Sequence, residues 1–225
     1  MSSLSLTLRG AAREAADHQV PGLVDHEFAS RLAAQDHTLW GAAAEDEASK
    51  RLGWVSLFED SRALLPRISG LREELRAEGV DRVVLAGMGG SSLAPEVICA
   101  TECVELTVLD STDPQQVAAV ISEGLDRTVL VVSSKSGSTV ETDSQRRIVQ
   151  KAMAEAGIDA QSRTVVVTDP GSPLAEQSAQ AGVRAVFEAD PSVGGRYSAL
   201  TAFGLVPSGL AGAMWSPCSM TPRRP

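Results

Sequence analysis

From Val80 onward, short apolar runs rich in β-branched residues alternate with stretches of helical character. Arg82–Ala86 (RVVLA), Glu105–Leu109, Thr128–Val132, Thr164–Thr168 and Arg184–Phe187 read as strands, with helices expected from Leu93, over Pro114–Ser122, over Glu141–Ala156 and over Ser172–Ala181. Continuous apolar strands need cover on both faces, and each intervening helix is long enough for a parallel crossover. The expected fold is therefore α/β: a three-layer α/β/α sandwich around a parallel five-stranded sheet, preceded by a helical segment. The expected divisions are a helical segment over 1–78, the α/β domain over 79–212 and an aperiodic tail over 213–225. In such sheets ligands bind where strands end and helices begin, so the loops after the strands carry the functional reading.

Ahead of the sheet the apolar spacing is helical. Phe28, Leu32 and Ala33 share a face, as do Trp54, Leu57 and Phe58, and Leu71–Glu78 closes at Gly79, a natural helix C-terminus. The charges at Glu45, Asp46, Glu47, Lys50 and Arg51 read as a solvated helix face. The net charge of −9 argues against nucleic acid or an anionic membrane as partner, because phosphate backbones are held by clustered cations. No apolar run is long enough to span a bilayer, and Met1 to Arg13 lacks a basic segment followed by an apolar core. A cytoplasmic location is expected. Cys99, Cys103 and Cys218 form no even disulfide framework. Zinc ligation by the C-x3-C pair lacks a second pair, so these read as buried apolar thiols.

Three strand-end loops carry chemistry. Gly87-Met88-Gly89-Gly90-Ser91-Ser92 follows the first strand, and its glycines allow close approach of an anion to backbone N–H groups. A dinucleotide fingerprint is one reading, with Asp110 as the ribose acid, but Ser92 stands where a small apolar residue is wanted. Ser133 to Thr139 (SSKSGST) supplies five hydroxyls and Lys135, one of only three lysines, at a helix N-terminus; these donors suit a phosphate monoester. The third loop, Val193-Gly194-Gly195-Arg196-Tyr197-Ser198, presents a guanidinium from a glycine-built turn, suited to developing negative charge.

Together, GMGGSSLAPEV (87–97), SSKSGSTVET (133–142) and VGGRYSALTAFGLVP (193–207) resemble glucose-6-phosphate isomerases, specifically their first sugar isomerase (SIS) domain. The likeness extends from about Leu39 to Gly212. The resemblance implies that Gly90 and Ser91 contact the sugar phosphate. It implies that Ser134, Lys135, Ser136 and Thr139 cradle the phosphate through hydroxyls and backbone N–H groups, and that Arg196 stabilises an enediolate formed between C1 and C2. Glu141 reads first as charge complementarity at a helix N-terminus. By the same resemblance the ligand is a small sugar phosphate, no metal or nucleotide cofactor is needed, and family members are homodimers.

The family's glutamate base, ring-opening histidine and late lysine belong to a later region; here no histidine follows His37 and no lysine follows Lys151. The tail AMWSPCSMTPRRP has no period. With GC-rich codons, one restored G ahead of the Met214 codon converts it to Asp-Val-Val-Ala-Leu-Leu-Asp-Asp-Ala-Ala-Ala, an amphipathic helix. Truncation by a frameshift is therefore expected, and with it a chain inactive alone. Two rival readings are a standalone SIS module that senses a phosphosugar, and an NAD-dependent oxidoreductase built on GMGGSS and Asp110.

Overall fold

The computed structural model describes residues 5–213; the tail reading, apart from Ala213, and Cys218 lie outside them. Two compact units are present, one up to Ser56 and one from Leu57. The first holds α1 (Ala11–Asp25), α2 (Phe28–Ala33) and α3 (Glu45–Arg51). Helix α1 starts well before Pro21, where helical periodicity is first legible, because its Ala-rich opening turns are strong helix formers and Pro21 is accommodated within it. Phe28 meets Trp40 edge-on with ring centroids 6.3 Å apart. The charged stretch on α3 is a surface face, with Lys50 paired to Asp46 at 2.7 Å and Arg51 to Glu47 at 2.8 Å.

The second unit begins with α4 (Leu57–Asp60) and α5 (Leu64–Ala77), the latter ending ahead of Gly79 at φ 79°. Then follow β1 (Arg82–Gly87), α6 (Leu93–Thr101), β2 (Thr107–Leu109), α7 (Pro114–Ser122), β3 (Thr128–Ser133), α8 (Val140–Glu155), β4 (Thr164–Thr168), α9 (Pro173–Ala181), β5 (Ala185–Glu188) and α10 (Ala202–Ala211). All neighbouring strands run parallel, in the order β2-β1-β3-β4-β5. The expected three-layer sandwich is thus the observed one. Strand β2 is shorter than expected, starting at Thr107 instead of Glu105.

The pleat sends alternate strand residues to opposite faces. Val83, Leu85, Val129, Val131, Val165, Val167 and Phe187 pack with α5, α6 and α10, while Val84, Ala86, Leu130, Val132 and Val166 pack with α7, α8 and α9. Every residue of α10 is buried, although it contains Pro207 and glycines that argue against a helix from sequence. Cys99 lies in the α5–α6–α10 layer, where burial pushes its thiol pKa up. Cys103 corrects the expectation of buried thiols: it is exposed, just past α6, at φ 56°.

Strands β1 and β3 are parallel neighbours whose carboxyl ends lie side by side, and the strand order changes direction between them, with β2 on the other flank of β1. A crevice forms at that switch point, because the helices that follow the two strands leave toward opposite faces.

Candidate functional site

A cleft of about 430 Å³ opens at the carboxyl ends of the strands, within the range of about 300–1,000 Å³ common for small-molecule sites. Met88, Gly90 and Ser91 line it from the loop after β1, and Lys135, Ser136 and Thr139 from the loop after β3. The loop after β4 contributes Asp169, the loop after β5 contributes Asp190, Val193, Gly195 and Ser198, and the start of α10 contributes Thr201 and Phe203.

The first and third loops touch through backbone. A Cβ on Gly90 would lie 2.5 Å from the Gly195 carbonyl oxygen, so no larger residue fits without separating the loops. Ser198, itself buried, bridges them: its Oγ donates toward the Gly90 carbonyl at 3.1 Å and the Gly195 carbonyl at 2.7 Å.

The second loop is built to leave donors free. Gly137 turns it at φ +70°, and a Cβ there would come within 2.6 Å of Leu174 Cβ. Thr139 is the residue at the head of α8, yet no side chain caps that helix. Its hydroxyl instead pairs with Ser134 Oγ at 3.2 Å. The first N–H groups of this 16-residue helix therefore face the loop without a side-chain cap, although Glu141 and Asp143 sit in its first turn. Ser136 and Ser138 pair through their hydroxyls at 2.8 Å, and both are exposed.

Lys135 reaches away from its own loop. Its Nζ donates to the Val193 carbonyl at 2.9 Å and the Pro191 carbonyl at 3.4 Å, and lies 3.2 Å from Asp169 Oδ2. Asp190 secures the start of the third loop by accepting from Ser192 N at 2.8 Å and Ser192 Oγ at 2.6 Å.

Of the residues singled out from sequence, Gly90, Ser91, Lys135, Ser136 and Thr139 line the cleft. Ser134 is buried behind it, and its contribution to the surface passes through Thr139. Arg196 stands between two lining residues, but its side chain is exposed, does not line the cleft and makes no hydrogen bond or ion pair among the described residues. Glu141 is half-buried in the first turn of α8, outside the cleft lining. Asp110, the acid of the dinucleotide reading, is exposed beyond β2 and does not line the cleft. Asp169 and Asp190 escaped sequence reasoning, although each stands within two residues of a strand end and is followed by proline, in the same kind of place as the first and second loops.

This arrangement of glycine turn, hydroxyl-rich helix start and glycine-arginine loop coincides with a family match. The phosphoglucose isomerase family model matches residues 67–212, an interval that contains all three loops. The chain belongs to the phosphoglucose isomerase family.

Relatives in that family include a glucose-6-phosphate isomerase of Thermus thermophilus, 36% identical over 177 residues, covering 76% of this chain and 42% of the relative. Another, from a Cyanothece species, is 35% identical over 138 residues, covering 58% of this chain and 26% of the relative. Among solved structures, a hypothetical protein of Thermus thermophilus superposes with a TM-score of 0.72 at 31% identity, over 89% of this chain and 46% of that one. A glucose-6-phosphate isomerase of Chlamydia trachomatis superposes with a TM-score of 0.62 at 26% identity, over 81% of this chain and 35% of that one. The chain thus spans about a quarter to two-fifths of the length of these curated phosphoglucose isomerase relatives.

Proposed function

We propose that this chain forms the phosphate-binding side of an isomerase site that interconverts glucose 6-phosphate and fructose 6-phosphate. The observation that carries the reading is the meeting of the loops after β1, β3 and β5 around one cleft at the switch point of the sheet. In this reading residues 79–212 are the SIS domain, 1–78 a preceding helical segment and 213–225 an aperiodic tail.

The phosphate would be held by the Ser136 and Thr139 hydroxyls and by the backbone N–H groups of Lys135, Ser136, Gly137 and Thr139, reinforced by the uncapped end of α8. Ser134 orients Thr139 from behind. Gly90 and Ser91 would meet the sugar side of the phosphate. Isomerisation moves one proton from C2 to C1 and another from the C2 hydroxyl to the C1 oxygen, and negative charge develops on these oxygens in the intermediate. Arg196 would face that charge, with its exposed, unpaired side chain turning inward over the bound sugar.

The chain as it stands offers no histidine or lysine after Lys151 to open the ring, and the resemblance supplies no glutamate base within it. We therefore expect sugar phosphate binding without turnover; loss of a general base alone costs about 10²–10⁴ in rate. Calorimetric titration of the purified chain with glucose 6-phosphate, alongside a coupled assay for fructose 6-phosphate, tests both halves. Absence of binding refutes the site, and robust turnover refutes the expected inactivity. Binding of NAD in place of the sugar phosphate would instead favour the oxidoreductase reading.

A further inference from the structure

Lys135 is the sole cation among the cleft-lining residues, and an ammonium at the mouth of a phosphate site is ordinarily read as a ligand. Its geometry says otherwise. An ammonium has three donors, and here three acceptors surround it: the Val193 carbonyl at 2.9 Å, the Asp169 carboxylate at 3.2 Å and the Pro191 carbonyl at 3.4 Å. Two of the three belong to the segment that leads into Gly194, Gly195 and Arg196. The main chain of Lys135 is anchored as firmly on the other side, its carbonyl accepting from Asp169 N at 3.3 Å and Thr168 Oγ1 at 3.4 Å.

We infer that the Lys135 side chain is a strut: held by Asp169, it ties the loop after β3 to the loop after β5 and so positions Arg196, while only its backbone N–H is left to serve the phosphate. Asp169 is the counterpart that makes this possible. Its Oδ2 neutralises the ammonium, and its Oδ1 is buried with no hydrogen-bond partner among the described residues. A carboxylate with one oxygen left unpaired is costly to bury, which fits a group retained for the geometry it enforces. Gly194 and Gly195 lead into a short 3-10 helix, Gly195–Leu200, and carry no side chains of their own to fix it against a neighbouring loop. Beside the Asp190–Ser192 turn and the Ser198 bridge, Lys135 is a polar tether of this loop. That the tethered loop acts on a sugar phosphate rests on the proposed function; the tether itself does not.

The signs of two substitutions separate strut from ligand. If the ammonium were an anion ligand, Lys135→Met would weaken binding of an anion while Asp169→Asn, by removing a competing negative charge, would strengthen it. A strut loses its purchase from either end, so both variants change in the same direction. Hydrogen exchange on the full chain without any ligand is the primary measurement. Both variants are expected to speed exchange of the amides of residues 192–198 about tenfold, the scale of one lost charge-assisted hydrogen bond. The amides of β1 and β3 should exchange as in the unaltered chain, which shows that the fold is intact. Asp169→Asn keeps the test decisive if Lys135→Met does not fold. Titration with glucose 6-phosphate should then show weaker binding in both. Unchanged exchange at 192–198 in Asp169→Asn, or weaker binding in Lys135→Met together with tighter binding in Asp169→Asn, overturns the strut. Failure of the unaltered chain to bind glucose 6-phosphate refutes the proposed function, and the ligand-free exchange comparison then decides the strut alone.

Discussion

Gly90 and Gly137 show that similar glycine-rich motifs serve different physical ends. At Gly137 the backbone is left-handed and the space beyond it is filled by Leu174. Gly137→Ala combines left-handed strain of about 1–2 kcal/mol with overpacking of about 1–3 kcal/mol. We expect the variant to lose roughly 2–4 kcal/mol in urea unfolding, together with sugar phosphate binding. Gly90 has no such φ requirement; its hydrogen is replaceable only if the Gly195 carbonyl withdraws. Gly90→Ala should therefore weaken ligand binding more than it lowers the unfolding free energy, as read by titration and denaturation of one preparation. The glycines of GMGGSS were legible as a special turn, but their reason was not. Anion approach and loop-to-loop approach both demand a missing side chain, and only the fold tells which neighbour needs the room. Asp169 was illegible for a simpler reason: Asp169-Pro170-Gly171 after a strand carries the signature of an ordinary turn.

Helix ends and strand ends explain where the elements stop. Thr201 heads α10, its Oγ1 accepting from Phe203 N at 3.2 Å, and Thr201→Ala should cost about 1 kcal/mol in a thermal or urea melt. Near the start of β5, Arg184 joins two acids near the C-terminal end of α5, Glu74 at 2.9 Å and Glu78 at 2.8 Å. Hydrogen bonding from Arg184 holds the Glu78 carboxyl below its ordinary range. A depressed folded-state pKa adds stability above the unfolded value, about 4.3, and that stability is lost as pH falls through the folded value. Glu78→Gln should thus be less stable than the unaltered chain at pH 7, by less than about 1 kcal/mol for so exposed a pair. The gap should close below about pH 4 in urea titrations. Strands and most helices were legible because their apolar periods differ. The exception is α10, which no helical period in the sequence marks out. A helix buried on every side has no polar face, and without one there is no period to detect.

At the scale of the molecule, the parallel sheet and the gathering of strand-end loops on one side of it were implied by the alternation of strand and helix, whereas the strand order was not. The side-chain directions within the cleft were not, and Arg196 and Lys135 illustrate it: one points out to solvent and the other across to a neighbouring loop. Ligand binding should appear as a rise in melting temperature, about 2.7 kcal/mol of added stability at a hundredfold excess over the dissociation constant. Glucose 6-phosphate should produce the rise and NAD should not.

Helix α10 is the last described element and fills the middle of one layer, against Val83, Leu85, Val131 and Val167. During synthesis, the part of that side left open by α5 and α6 must wait, greasy and uncovered, until residue 211 clears the ribosome. A nascent chain halted anywhere in 190–205 is therefore a natural client for a chaperone, and folding into a protease-resistant state should switch on abruptly once the final turn has emerged.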